Sequence, residues 1–294
     1  MRWIVGSAAL AALLLGAGGL RPAAAAAPIS IVAAENFYGD VAQQIAGPDV
    51  TVSSILSNPD DDPHMFEASP SVARNLANAQ IVVANGADYD PWIEKLLGAS
   101  PSAKRKVITI ADLVHRKSGD NPHLWYDPPT MPAYAKALAA ALAAADPAHK
   151  ADYEARRDSF LASLRPIQEK VKALHDKYAG TPVTATEPVF GYMAAALGLK
   201  MRNERFQIAV MNDTEPSASD VAAFEGDLRN HRVKLFFYNS QASDEAAKRL
   251  LGIAQAAKIP VVGVTETEPP GPKFQDWMLG ELQAVDAALS SPGS

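Results

Sequence analysis

Residues 50–71 read Val50-Thr-Val-Ser-Ser-Ile-Leu56-Ser-Asn58-Pro-Asp60-Asp61-Asp62-Pro63-His64-Met65-Phe66-Glu67-Ala-Ser69-Pro70-Ser71. The opening residues alternate and are β-branched, which predicts a strand over 50–56. At the far end Ser69 is a good N-cap and Pro70 suits the first helical position, so a helix starts there. Between them lies an acidic loop stiffened by proline that carries His64. Strand, loop and helix in that order, with a histidine just past the strand, is the unit from which the rest is read.

Working outward, 29–34 is a short apolar run suited to a buried strand, and 37–45 reads as a helix ended by Gly47-Pro48. Downstream come a strand at 81–86, a helix from Asp90-Pro91 to Leu97, a strand at 106–110 and an Ala-rich helix at 130–145. Such alternation implies a mainly parallel sheet with helices on both faces. Open sheets of this kind bind ligands beyond the carboxyl ends of their strands. Residues 148–178 are charged and amphipathic, with Tyr153, Phe160, Leu164, Ile167, Val171 and Leu174 at helical spacing. This is a long helix, and Pro166 should kink it near Ala162, whose carbonyl it cannot bond. The second half repeats the alternation: strands at 183–186, 233–238 and 260–265, a weaker one at 201–206, and helices at 190–197, 217–230, 244–258 and 274–289. The fold expected is α/β, two lobes joined by one long connecting helix. The expected division is 1–27 signal peptide, 28–146 first lobe, 147–179 connecting helix and 180–294 second lobe.

Arg2, the apolar 3–20 and Ala23-Ala24-Ala25 have the pattern of a secretory signal cleaved near Ala25. A membrane anchor is the competing reading, against which the glycines and the alanine run weigh. The chain has no cysteine, hence no disulfide and no cysteine for lipid attachment. The expectation is therefore a soluble periplasmic protein that is not a lipoprotein. The full chain has 27 basic and 33 acidic residues, net −6. Without residues 1–25, which hold Arg2 and Arg21, it has 25 against 33, net −8. That balance argues against nucleic acid as a partner, and no basic patch with interleaved aromatics is present.

Of six histidines, His149 and His175 sit on the connector, His231 ends a helix and His115 lies in a basic loop; all read as solvated. His64 and His123 differ. Each follows a proline and precedes an apolar residue and an aromatic: Pro63-His64-Met65-Phe66 and Pro122-His123-Leu124-Trp125. Proline pins the loop and the aromatic can hold the ring, as ligation of a metal requires. Singly, each reads as a loop histidine satisfied by a hydrogen bond; the matched pair makes metal ligation an equal reading. Asp60, Asp61 and Asp62 invite a calcium reading, but the alternating ligands and turn glycine of a calcium loop are missing, so capping of the loop is favoured. Glu67 is expected to face the next helix. Glu187 and Glu266 fall at strand ends in the second half, where each alone reads as a loop carboxylate.

Taken together, these residues resemble the metal-binding solute receptors of ABC importers for zinc, manganese and iron. The resemblance rests on 62–71, on Asn121-Pro122-His123-Leu124-Trp125, on Phe190-Gly191-Tyr192, on Glu215-Pro216-Ser217, and on the order of elements around the mid-chain helix. It implies a periplasmic receptor, not an enzyme, that holds one divalent ion between two lobes and delivers it to an inner-membrane ABC permease. It implies His64, His123, Glu187 and a carboxylate at the last strand as ligands. Glu266 fits that last position best; Glu268 is the alternative, since both would share a face if the strand ran on. Two imidazoles with two carboxylates form a harder set than three imidazoles, which puts Mn²⁺ ahead of Zn²⁺ and Fe²⁺ last, although zinc stands above manganese in intrinsic affinity. The long His-rich loop of many zinc receptors is absent. The protein is expected to act as a monomer without nucleic acid. The competing readings are a periplasmic metallohydrolase on the same residues, with Asp61 or Glu67 as base, and a receptor for an organic metal chelate.

Overall fold

In the computed structural model the described residues are 28–58, 66–212, 214–241 and 245–291. The signal segment, Asp60–Asp62 and His64 therefore lie outside them. In the first lobe the order is β1 (Ser30–Glu35), α1 (Asn36–Ala46), β2 (Thr51–Leu56), α2 (Pro70–Asn78), β3 (Ile81–Ala84), α3 (Pro91–Ala99), β4 (Lys106–Thr109), α4 (Ile110–Leu113) and α5 (Thr130–Ala145). Its strands are all parallel, in the order β2-β1-β3-β4. Ser69 accepts the backbone N–H of Val72 and Pro70 opens α2, as its sequence dictates. Helix α1 lies so close on β2 that a methyl group at Gly39 would overlap the Ser54 hydroxyl.

The chain then runs through α6 (Lys150–Ser163) and α7 (Arg165–Tyr178). The connecting helix is thus interrupted once, at Leu164, two residues beyond Ala162, where the sequence places a kink. The cause is the expected one: Pro166 stands in the first turn of α7 and has no N–H to donate backward. Each half is fastened to a different lobe. From α6, Arg156 donates to the carbonyls of Ile45 (2.8 Å) and Ala46 (2.9 Å), satisfying the end of α1.

The second lobe contains β5 (Pro182–Ala185), α8 (Gly191–Ala196), β6 (Lys200–Arg202), α9 (Glu204–Met211), α10 (Ala218–Arg229), β7 (Leu235–Asn239), α11 (Glu245–Ala256), β8 (Val261–Val264) and α12 (Phe274–Ser290). Its sheet is also all parallel, in the order β6-β5-β7-β8. The predicted strand at 201–206 stops at Arg202. Asn203 adopts a left-handed conformation (φ 60°) and α9 follows. That conformation is tolerated because the Asn203 side chain bonds Thr184 Oγ1 and Asp227 Oδ2. From α7, Lys170, Lys177 and Tyr178 all bond Asp286 of α12, and they hold its carboxyl well below the usual range.

Strand alternation sorts the side chains into three layers. Ile31, Ala33, Ile81 and Val83 face inward, with Leu235 and Phe237 of the other sheet in the same core. Val32, Ala34, Val82 and Ala84 face outward under α2 and α3, and Phe236 packs outward with Phe224 and Leu250. The inner layer is continuous across the lobes. Phe37 meets Trp125 (4.6 Å between ring centroids), Tyr126 meets Phe190 (5.1 Å) and Phe190 stacks on Phe237 (4.7 Å).

Candidate metal centre

His123 leaves its loop just before a 3-10 turn at Leu124–Tyr126. Three side-chain contacts fix that loop. Asn85, directly after β3, donates to Pro122 O (2.9 Å) and accepts the Tyr38 hydroxyl (2.7 Å). Asn121 Oδ1 accepts the backbone N–H of His123 (3.1 Å) and lies 2.6 Å from its Nδ1. Tyr192 of the second lobe donates to Asn121 O (2.7 Å). The Asn121 amide is oriented by its own Nδ2, which donates to Pro188 O across the cleft (2.8 Å). Its oxygen must then face His123, so Nδ1 carries the proton and the lone pair of the neutral ring sits on Nε2. Gly191 permits this approach, because a Cβ there would lie 3.0 Å from Asn121 Nδ2. Trp125 and Tyr89 pack edge-on against the imidazole.

Glu187 lies between β5 and the 3-10 turn at Pro188–Phe190, with the extended backbone that a following proline imposes. Glu266 follows β8. Both carboxylates meet the same amide: Asn239 Nδ2 donates to Glu187 Oε2 (2.8 Å) and to Glu266 Oε1 (2.6 Å). The Tyr89 hydroxyl, from the first lobe, donates to Glu266 Oε2 (3.1 Å). Gln241 Oε1 accepts the backbone N–H of Glu266 (2.5 Å) and of Thr267 (3.2 Å).

One potential ligand atom from each of His123, Glu187 and Glu266 lies within 4.8 Å of the others. These residues are 0%, 5% and 1% exposed. His123 Nε2 has no hydrogen-bond partner among the described residues and stands 3.4 Å from Glu266 Oε2. A lone pair facing a carboxylate in a buried site is unfavourable unless a cation or a proton lies between them. The donors are those of a first-row divalent ion, and the histidine is held in the tautomer that ligates.

The geometry separates the two carboxylates that the sequence leaves open. Strand β8 ends at Val264, so the two-residue alternation does not carry through to 268. Glu268 instead has its backbone N–H and carbonyl bonded by Asn36 (2.9 and 2.7 Å). Its carboxyl is pushed up to about 9 by burial, with Asp40 adding to the rise. Glu67, His115, His149, His175 and His231 are exposed.

Several residues of the site carry no sequence signal of their own. Asn239 and Asn85 look like any strand-end asparagine, and nothing in the sequence around Asn121 signals a role for it. Glu35, the last residue of β1, is fully buried, with no hydrogen-bond partner for either oxygen among the described residues. Burial, reinforced by Asp90, raises its carboxyl well above the usual range. Glu281 of α12 is pushed up to about 8, chiefly by burial. Its Oε1 meets Tyr126 (2.9 Å) and Trp277 (2.9 Å), while Tyr126 also donates to Thr265 O (3.0 Å).

Comparison with known proteins follows the same lines. The manganese ABC transporter substrate-binding lipoprotein PsaA of Streptococcus anginosus is 22% identical, covering 95% of each chain. The iron ABC transporter substrate-binding lipoprotein MtsA of Streptococcus pyogenes serotype M1 is 22% identical, covering 89% of each. The periplasmic zinc-binding protein TroA of Treponema pallidum shares the fold with a TM-score of 0.75 at 18% identity, covering 90% of this chain and 99% of that one. The relatives' names correct one expectation. Several are lipoproteins, against the reading of a soluble protein that is not a lipoprotein. That reading rested on the missing cysteine, which removes one mode of attachment and does not establish a soluble protein. Residues 31–288 match the family described as zinc-uptake complex component A, periplasmic, and the chain belongs to that family.

Proposed function

We propose that the protein holds one divalent transition-metal ion between its lobes through His64, His123, Glu187 and Glu266 and delivers it to the permease of an ABC importer. The observation that carries this reading is the His123 lone pair, buried and without a hydrogen-bond partner among the described residues, beside two carboxylates of the other lobe. His64 joins the set on its sequence setting alone. The role is that of a receptor in metal uptake, acting as a monomer. A hydrolase would need an open coordination position and a base beside it, and ligands buried to this degree leave room for an ion but little for a substrate or an organic chelate. Donor hardness ranks Mn²⁺ ahead of Zn²⁺, with Fe²⁺ behind. Both histidines must be neutral to ligate, so binding of the ion competes with their protonation.

The test is the metal content of protein purified without chelator, beside a His64→Ala/His123→Ala double variant. One ion per wild-type chain and none in the variant is expected. A wild type that carries no metal under metal-replete conditions contradicts the reading.

A further inference from the structure

Beside the break in the connecting helix at Leu164, the inner layer leaves a cavity of about 170 Å³. Three parts of the molecule wall it: Trp125 and Met131 from the first lobe, Leu164 and Ile167 from the connecting helix, and Met193 and Met278 from the second lobe. All six are buried. Asp127 and Gln168 also border the cavity. Gln168 is exposed and Asp127 half-buried, so these polar groups stand at its mouth. Protein interiors hold few voids larger than a water molecule, and an apolar wall offers water few partners. The size suits a single ring, since an apolar cavity of about 150 Å³ stays dry and takes up benzene. Methionine side chains adapt to a guest, and their sulfurs favour aromatic partners. Trp125 links the cavity to the metal centre, because it packs edge-on against His123 at 5.4 Å between ring centroids.

We propose that this cavity binds a small aromatic molecule with one polar substituent, and that the bound ring strengthens the hold on the metal ion. The ring lies among the methionines and its substituent meets Asp127 and Gln168 at the mouth. The binding site stands on the cavity alone, whereas the coupling to metal rests on the receptor reading above. That coupling follows from the origin of the walls. In this arrangement the donor atoms of the two lobes already face one another, with His123 Nε2 3.4 Å from Glu266 Oε2, so this is the arrangement that grips an ion. Parting the lobes draws Met193 and Met278 away from Trp125 and Met131 and opens the cavity. A ring that fills it therefore binds the closed arrangement more tightly than an open one. By linkage, ring and ion then raise each other's affinity by the same factor.

Phenol is the probe, titrated into the wild type, Val171→Phe and Met193→Phe. Val171 also lines the cavity, and either phenylalanine fills it. One phenol per wild-type chain is expected by calorimetry, with a dissociation constant of about 1 mM or tighter. Methyl NMR of the wild type should show shifts at Met131, Met193 and Met278 and none at Met201 and Met211, which lie on β6 and α9. The filled variants should lose phenol affinity by about tenfold or more. Saturating phenol should raise Zn²⁺ affinity, read by chelator competition, by about fivefold or more in the wild type and by less than about twofold in the filled variants. Melting shows that each filled variant is folded, and the methyl shifts need neither variant. No phenol binding by the wild type, or shifts at other methionines only, overturns the site. Phenol binding that leaves Zn²⁺ affinity within about twofold overturns the coupling. A wild type that takes up phenol in the cavity but no metal overturns the receptor reading, and the coupling with it, and leaves the site standing.

Discussion

The two lobes have the same strand order, and equivalent strand ends hold similar residues with different fates. Glu35 ends β1 and Glu187 follows β5; Asn85 follows β3 and Asn239 ends β7. In the first lobe Asn85 turns to Tyr38 and Pro122, where it positions the loop of His123. Glu35 is left buried without a hydrogen bond among the described residues, and its carboxyl is raised. In the second lobe Asn239 turns to the carboxylates themselves. A strand-end glutamate is a candidate ligand where an amide holds one of its oxygens and a lone pair faces it across the cleft. Without those companions it is a buried acid.

The sharpest way to break this comparison is to neutralise both glutamates. Glu187→Gln should weaken Zn²⁺ or Mn²⁺ binding by about a hundredfold or more, since removal of a charged ligand costs several kcal/mol. Glu35→Gln should leave affinity within about twofold. Its effect should appear in stability. A carboxyl with a raised native pKa binds more protons folded than unfolded, so its contribution is present at low pH and is lost as pH rises above the unfolded value near 4.5. Glu35→Gln should therefore melt higher than wild type at pH 8 and not at pH 4, as read by calorimetry.

Next in size is the support of His123. Asn121→Ala removes the acceptor that fixes its tautomer and should cost about 10–100-fold in metal affinity with the circular dichroism spectrum unchanged. Comparable in size is the effect of Glu281, whose native carboxyl sits at about 8. Its stability contribution is lost between roughly pH 4.5 and 8, so Glu281→Gln should gain about 1–3 kcal/mol at pH 8 and little at pH 5 in urea titrations. Gly191→Ala crowds Asn121 Nδ2 and should reduce affinity by less than about tenfold, because the amide can give by a few tenths of an ångström.

Local signals account for most of the architecture. Helix α5 spans Thr130–Ala145 as its composition predicts, and Ser69 and Ser217 cap the helices that they precede. The approach of His123, Glu187 and Glu266 is foreseen through matched loops, strand ends and family resemblance. The sequence is silent where the contact is non-local. The aromatic layer from Phe37 to Phe237 joins residues far apart in the chain, and no periodicity reveals it. Asn121 and Asn239 act through amide orientation, which depends on Pro188 O and the Gln241 N–H from other segments. The placement of Glu266 over Glu268 turns on β8 stopping at Val264, a boundary that strand propensity does not set.

Whether both lobes ligate one ion is tested most directly by a chelator-competition titration of Zn²⁺ into wild type, His123→Ala and Glu187→Gln. One ion per wild-type chain and an affinity loss of about a hundredfold or more from either substitution, one in each lobe, are expected. Affinity that survives within about twofold after either substitution, or a second ion of similar affinity in the wild type, contradicts ligation of one ion by both lobes.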